Sequence, residues 1–430
     1  MLFRYRKLFV GRILLTLAVL AGLFIRETVP QVRAMTIVVP DSYTTIQAAI
    51  NAANPGDTII VRPGTYSENV TINKPIVLTA ESYDSTDPTR NTTIIHARSS
   101  RKPVISIPAG AAPMPTVRGF ILRNGREGIF ISSDAVIEYN YLVGMQDQID
   151  VTGGGGGVIH GNVFFDSGDD AIDLDNMNRS LLIEHNRMLY SRDDGIEVRL
   201  QDATAPVQPI TITFRNNEII GCSEDGIQFI DYGQTVDTQR IYFITGNVIA
   251  NSVFSGIGLM GNASSVEDYS GADIQEAIRV YNNTIYGNNY GISGGDNLIA
   301  YNNIIANSTT RGVWRVQGFA SLVAYTLFYN NGLDAEQSTL GGFNRFGQNP
   351  LFAYAPHPGP DGVWKTVDDD FRGLAILPGS PAIDVGYGAT CPAIDVLGTP
   401  RPYGAHCDLG AFEYNGTVPT PPPDPLVPPI

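Results

Sequence analysis

The chain has 430 residues, with 43 acidic against 28 basic side chains and a formal net charge of −15. Such acidity argues against a nucleic-acid partner and against anionic membrane surfaces, and it suits a soluble secreted protein, or one that recruits divalent cations. There are only three cysteines, and none lies in a CxxC pair, which removes the usual zinc patterns.

Residues 1–34 read as an export signal. Arg4, Arg6, Lys7 and Arg12 precede an apolar run from Ile13 to Ile25, and Val32-Arg33-Ala34 fits a small-residue cleavage site. The run is short for a membrane span. An uncleaved anchor is the alternative. Cleavage would remove six positive charges and one negative, leaving −20. The expectation is a secreted or cell-surface protein whose mature chain does not insert into a membrane.

The next segment, DSYTTIQAAINAANPGDTIIVRPGTYSENVTINKPIVLTA (41–80), begins with Ile46, Ala49, Ile50 and Ala53 at helical spacing, and Thr44 or Thr45 can cap it. Asn54-Pro55-Gly56 ends this helix and strands follow. A short amphipathic helix here would cover the open end of a stack of strands.

From residue 126 onward two landmarks recur. One is an Asn before an apolar run, at Asn140, Asn162, Asn186, Asn217, Asn247, Asn283 and Asn303, with intervals of 22, 24, 31, 30, 36 and 20. The other is an alternating strand: QDQIDV (146–151), GDDAIDLD (168–175), DDGIEVRL (193–200) and EDGIQF (224–229), with weaker copies at REGIFI, SGIGLM and RGVWRV. A base period in the low twenties without helix-length segments predicts a parallel β-helix, a solenoid of short strands over about residues 35–345. The Asn series reads as a structural ladder at one turn.

Stacking these rungs makes columns of charge. One runs Glu127, Asp147, Asp170, Asp194, Asp225. The next runs Phe130, Asp150, Asp173, Glu197, Gln228, and a third Thr152, Asp175, Arg199, Ile230. Rungs are ~4.8 Å apart, so neighbouring carboxylates repel by roughly 3.5 kcal/mol at an effective dielectric of 20. They must spread apart, share protons, pair with Arg192 and Arg199, or bind a cation. Calcium suits the spacing, which makes Asp150, Asp170, Asp173, Asp194 and Glu197 candidate ligands. The longer rungs gain their length directly after the acidic strands, at 201–209, 232–239 and 261–275. Aligned loops of this kind would wall a groove beside the acidic face, where Tyr232 and Tyr269 could stack on sugar rings.

After residue 345 the pattern changes. Residues 346–415 are Gly- and Pro-rich and hold Cys391 and Cys407, which read as a disulfide in an oxidising compartment. Cys222 reads as a small residue in a rung. Asp361, Asp368, Asp369 and Asp370 could form a structural calcium loop. Residues 416–430 form a Pro-rich tail.

Segment 41–80 resembles the start of bacterial right-handed β-helix proteins of the pectate lyase superfamily, and of pectin methylesterases. The methylesterase motifs, two aspartates and an arginine, have no counterpart. PGSPAID, DVLGTPRP and CDLGAFE resemble the choice-of-anchor module at the C-terminus of secreted β-helix proteins, which implies secretion or surface display. GDDAIDL resembles the calcium-binding strands of some β-helix pectate lyases. That implies a polysaccharide lyase in which calcium neutralises the uronate carboxylate and a cationic residue, here Arg199, assists proton removal. QDQIDV with GDDAIDL resembles the first two polygalacturonase motifs, implying a glycoside hydrolase with Asp147, Asp169 and Asp170. The family's histidine falls at Asp194, and its Arg-Ile-Lys motif falls in DGIQFI. A glycan-binding or adhesion module without catalysis is the third reading. The expected partner is an acidic polysaccharide or cell-surface glycan, and the expected state a monomer.

Overall fold

The computed structural model describes residues 34–111, 114–200, 208–232, 239–261, 267–270, 274, 276–318 and 320–422. Residues 1–33 of the expected export signal, most of the three inserted loops and the end of the tail lie outside the described residues.

Within a rung, two strands are separated by two residues, the first of them in the left-handed region. Tyr139, His185, Asn216, Asn282 and Asn302 take φ between 50° and 61° there, and Gly161 and Gly246 hold the same place in their rungs. Asn and Gly bear this conformation most easily. The ladder Asn comes next. In Asn186 the side-chain oxygen accepts the backbone N–H of Asn162 (2.9 Å) and its amide (3.0 Å). Its own amide donates to Asn217 Oδ1 (3.1 Å) and to the Ile159 carbonyl (2.9 Å). The same bonds repeat from Asn140 to Asn303, so the ladder is structural, as the spacing predicts.

Successive strands fall in turn into three parallel sheets. The first runs from Thr36–Val39 to Leu322–Ala324, the second from Gly64–Ser67 to Arg345–Phe346, and the third from Val70–Thr71 to Ala335–Glu336. Between them the inward side chains form columns. Ile129, Ile149, Ile172, Ile196, Ile227, Ile257 and Ile292 pair in register along the third sheet and are fully buried. Each contributes about 1.5–3 kcal/mol of apolar burial. The Gly of the D-G-I signature has a packing cause. A Cβ on Gly195 would lie 2.5 Å from the Gly226 carbonyl, and one on Gly226 would lie 2.7 Å from that of Gly256.

The helix Ile46–Ala52 covers the first rung with Ile46, Ala49 and Ile50. Thr45 caps it by accepting the Ala48 N–H. The following rung supplies both ends. Glu68 accepts the N–H groups of Ile46 and Gln47, while Lys74 donates to the carbonyls of Ile50, Asn51 and Ala53. Charges of this sign complement the helix dipole.

Residues 34–430 cluster as one unit. The loop-rich segment after residue 346 lies along the outer face of the second sheet as a strap. Phe371, Leu374, Ala411 and Phe412 pack on Leu189, Ile220, Val248 and Ala250, and Ile376, Ala382 and Leu409 pack on Ile304, Ala306 and Leu327. Cys391 and Cys407 are bonded, and Cys222 is a free buried thiol. The four aspartates grouped above as a calcium loop are divided among other partners. Asp370 binds Arg372 and Tyr354, Asp369 accepts from Tyr190, Asp368 accepts from Thr366, and Asp361 accepts the Val363 N–H.

Candidate functional site

The acidic columns lie on the third sheet in the predicted register: Phe130, Asp150, Asp173, Glu197 and Gln228 are direct cross-rung partners, as are Asp175, Arg199 and Ile230. The column at the preceding turn is a second ladder, built from aspartates. Asp170 Oδ1 accepts the Asp194 N–H (2.9 Å), Asp194 Oδ1 that of Asp225 (2.7 Å), and Asp225 Oδ1 that of Ser255 (2.5 Å). One oxygen of each is committed to backbone. Asp194, proposed above as a metal ligand, therefore has one oxygen already engaged.

The remaining oxygens converge. Asp170, Asp173 and Glu197 are at most 5% exposed, and each offers an oxygen within 4.8 Å of the others. Asp150 Oδ1, Asp170 Oδ2 and Asp173 Oδ1 are buried without a hydrogen-bond partner. Arg199 is the cation present. It pairs with Asp173 at 2.5 Å and with Glu197, and stands 3.9 Å from Asp175. Arg192 lies off the cluster and binds Asp166 at 3.2 Å.

One guanidinium does not balance this charge, and the proton affinities follow. Burial, then Asp169, lifts Asp147 to about 6; burial, then Asp147 and Asp175, lifts Asp150 to about 7. Asp173 rises to about 8 through burial, against the opposing pull of Arg199. Burial and Glu197 push Asp170 well above the carboxylate range. The surrounding carboxylates outweigh the burial cost on Arg199 and hold its guanidinium firmly charged. A metal ion in place of protons would satisfy the same oxygens, because calcium ligands at ~2.4 Å from an ion lie up to about 5 Å apart.

A second group, not read from the columns, stands one turn away. Asp193, Asp194 and Glu224 bring oxygens within 4.8 Å of each other. Burial, then Glu224, raises Asp193 to about 8. The signal was present in DDG and EDG, where the acid before the ladder aspartate also faces its copy on the next rung.

Asp169 lies at the rim, receiving a hydrogen bond from Gln146 at 3.3 Å. Tyr232 is 38% exposed and stands next to Arg199, in a position open to a ligand. Tyr269 is not. It is 2% exposed and donates to Asp225 at 2.7 Å. It packs on Tyr290 and Trp314. It folds down over Gly258, where a Cβ would meet its ring at 2.6 Å.

A family model described as the right handed beta helix region matches residues 105–268. The fold is a right-handed parallel β-helix. The structure is similar to that of the pectate lyase Pel9A, with a TM-score of 0.53 and 16% identity over 89% of this chain and 97% of that one. It is also similar to a family 28 exopolygalacturonase from Yersinia enterocolitica, with a TM-score of 0.42 and 13% identity over 74% of this chain and 78% of that one. Identities this low show the fold alone. A cell surface glycoprotein of Methanothermus fervidus is 34% identical over 94 residues, which is 21% of this chain and 14% of that protein. The match thus spans about a seventh of that relative's length. Among the described residues no helix is long and apolar enough to cross a membrane.

Proposed function

We propose that this is an extracellular protein acting on an acidic polysaccharide at the third sheet, as a calcium-dependent, lyase-like enzyme. The observation that carries the reading is the set of unpartnered buried oxygens on Asp150, Asp170 and Asp173 beside Glu197. Unpartnered buried carboxylate oxygens are costly and call for a cation. Calcium bound there would neutralise a uronate carboxylate and make its α-proton more acidic. Exposed Tyr232 offers a ring for a sugar, and Arg199 is the cation beside the cluster that would assist proton removal.

A second reading, glycan binding without turnover, is favoured by Arg199 itself. Its guanidinium is held by Asp173 and Glu197, and a charged Arg is a poor base. The hydrolase reading draws on Asp147, lifted to about 6 as a general acid would need. Asp147 and Asp170 sit on adjacent rungs, a spacing nearer the retaining than the inverting range.

One experiment separates the three. The protein is assayed on polygalacturonate and alginate, with calcium and with chelator. New ultraviolet absorbance from an unsaturated product is the expected result. New reducing ends without it support a hydrolase, and retention without turnover supports a binding module. Calcium at a hundredfold excess over Kd should stabilise the fold by ~2.7 kcal/mol, and Asp173→Asn with Glu197→Gln should remove most of that gain. If calcium moves neither the melting point nor any activity, the carboxylates are a buried, proton-sharing, arginine-paired cluster without a metal role.

A further inference from the structure

The turn leading into the third sheet forms a ridge whose charge reverses along its length. Its backbone is bonded rung to rung: Arg126 N–H to the Lys102 carbonyl (3.0 Å), Gln146 to Arg126 (2.9 Å), Asp169 to Gln146 (3.0 Å), Asp193 to Asp169 (3.2 Å) and Glu224 to Asp193 (3.1 Å). Lys102 and Arg126 therefore stand in one file with the carboxylates of the candidate site. Arg98 and Arg101 share the turn of Lys102. Arg123 ends the second-sheet strand just before Arg126 and pairs in register with His96.

The arginines of this set differ from the other exposed arginines. Exposed arginines elsewhere have carboxylate partners: Arg90 has Asp87, Arg179 has Asp134 and Arg192 has Asp166. Arg98, Arg101, Lys102 and Arg123 are all exposed, and among the described residues none has an ion pair. Arg126 shares its guanidinium with the buried Glu127. In a chain of net charge −15, this patch of unpaired cations around the Lys102 turn raises local self-repulsion without an ion-paired counter-charge among the described residues. An external polyanion would relieve it.

We infer that Arg98, Arg101, Lys102 and Arg123 form a docking patch for anionic sugar residues of a polysaccharide that continues along the ridge to the acidic face of the third sheet. Arg98, Arg101 and Lys102 lie on one rung and Arg123 on the next, ~4.8 Å away, so the patch offers charge to neighbouring sugars of one chain. The cationic end binds the sugar anions directly, and the acidic end does so only through a bound cation. This deepens the acidic-glycan reading, yet it does not depend on the calcium site.

The test is retention and affinity of the full chain on polygalacturonate, which carries carboxylates, and on dextran sulfate, which carries sulfate esters, with chelator present. The parent should bind in chelator at low salt and release as salt is raised. The variant Arg98→Gln, Arg101→Gln, Lys102→Gln, Arg123→Gln should bind about tenfold more weakly, a loss of about 1.4 kcal/mol. Its melting point and its calcium shift should be unchanged, since these side chains have no internal partner. Loss on one polymer alone identifies which anion the patch recognises. Equal affinity of variant and parent for both polymers in chelator overturns the proposal, as does equally tight binding to neutral dextran or to duplex DNA. If calcium has no effect but the variant still loses affinity, the docking patch stands and the cation-site reading falls.

Discussion

Asn186 and Asp170 illustrate how one type of bond serves two corners of the rung. Both offer a side-chain oxygen to a neighbouring rung's backbone N–H. The Asn also carries an amide that completes its own bonding; the Asp carries a second oxygen with nothing to accept from. Asn186→Ala would leave the Asn162 N–H without an acceptor and take from the Asn217 oxygen the amide that donates to it, while the Asn162 amide keeps the Ile137 and His160 carbonyls. Unsatisfied buried groups of this kind cost about 1–3 kcal/mol each, so a loss of roughly 2–4 kcal/mol is expected in a urea melt. Glu184 gives the pH prediction. His160 first, and then Arg215, hold its carboxyl down at about 2, below its usual 4.5. A depressed carboxyl stabilises the fold above its unfolded pKa and loses that contribution as pH falls through the folded one. Stability should therefore drop between pH 4.5 and 2, by on the order of 1 kcal/mol after allowance for solvent screening. Glu184→Gln should flatten that part of the melting-temperature profile, and a profile parallel to the parent's would refute the assignment.

At the level of strands and segments, the second sheet explains the C-terminal signature. Runs such as NEII, NVIA and NIIA are apolar on both faces, whereas the acidic strands alternate. A strand apolar on both faces must be covered on both. The strap supplies that cover, and its own signature residues hold it in shape. Asp395 accepts the N–H groups of Leu397, Thr399 and Glu413. The fully buried Arg401 donates to the carbonyls of Asp408 and Gly410 and pairs with Glu413. Phe371, 1% exposed, seats the strap on the sheet. Phe371→Ala should cost about 3–5 kcal/mol and increase binding of a hydrophobic dye. No change in either would mean that the strap is not fastened there. The register of the acidic columns was legible in the sequence, because a period-two strand leaves no freedom once one Ile is placed inside. The second ladder was hidden because a bonded Asp and a free one look alike in a sequence. The burial of Tyr269 was hidden because it depends on Gly258 leaving room two segments away. The strap's position was hidden although its partner runs were visible, since nothing local says which segment returns to cover them.

The molecule as a whole is a stack in which every rung repeats the bonds of its neighbours, and such stacks ordinarily tolerate changes in length. This one carries a gauge. The strap is fastened at Leu189 by Phe371 and at Leu327 by the Ile376 cluster, and between them Gly410 bonds Asn302 and Ala411 bonds Thr284. Those anchors fit only one rung count. Duplicating residues 120–139 adds a rung outside the strap and should leave the melting temperature nearly as it was. Duplicating residues 283–302 adds one beneath it, shifting half the anchors by one ~4.8 Å step, and should lower the melting temperature and free the strap to limited proteolysis. Equal behaviour of the two duplications would show that the strap does not measure the stack. The solenoid is thus free to lengthen by duplication on the N-terminal side of Leu189, where the cationic ridge and the Asp150 and Asp173 rungs lie, so a family descended from this chain would vary the length of that charged face while the rungs under the strap stayed fixed in number.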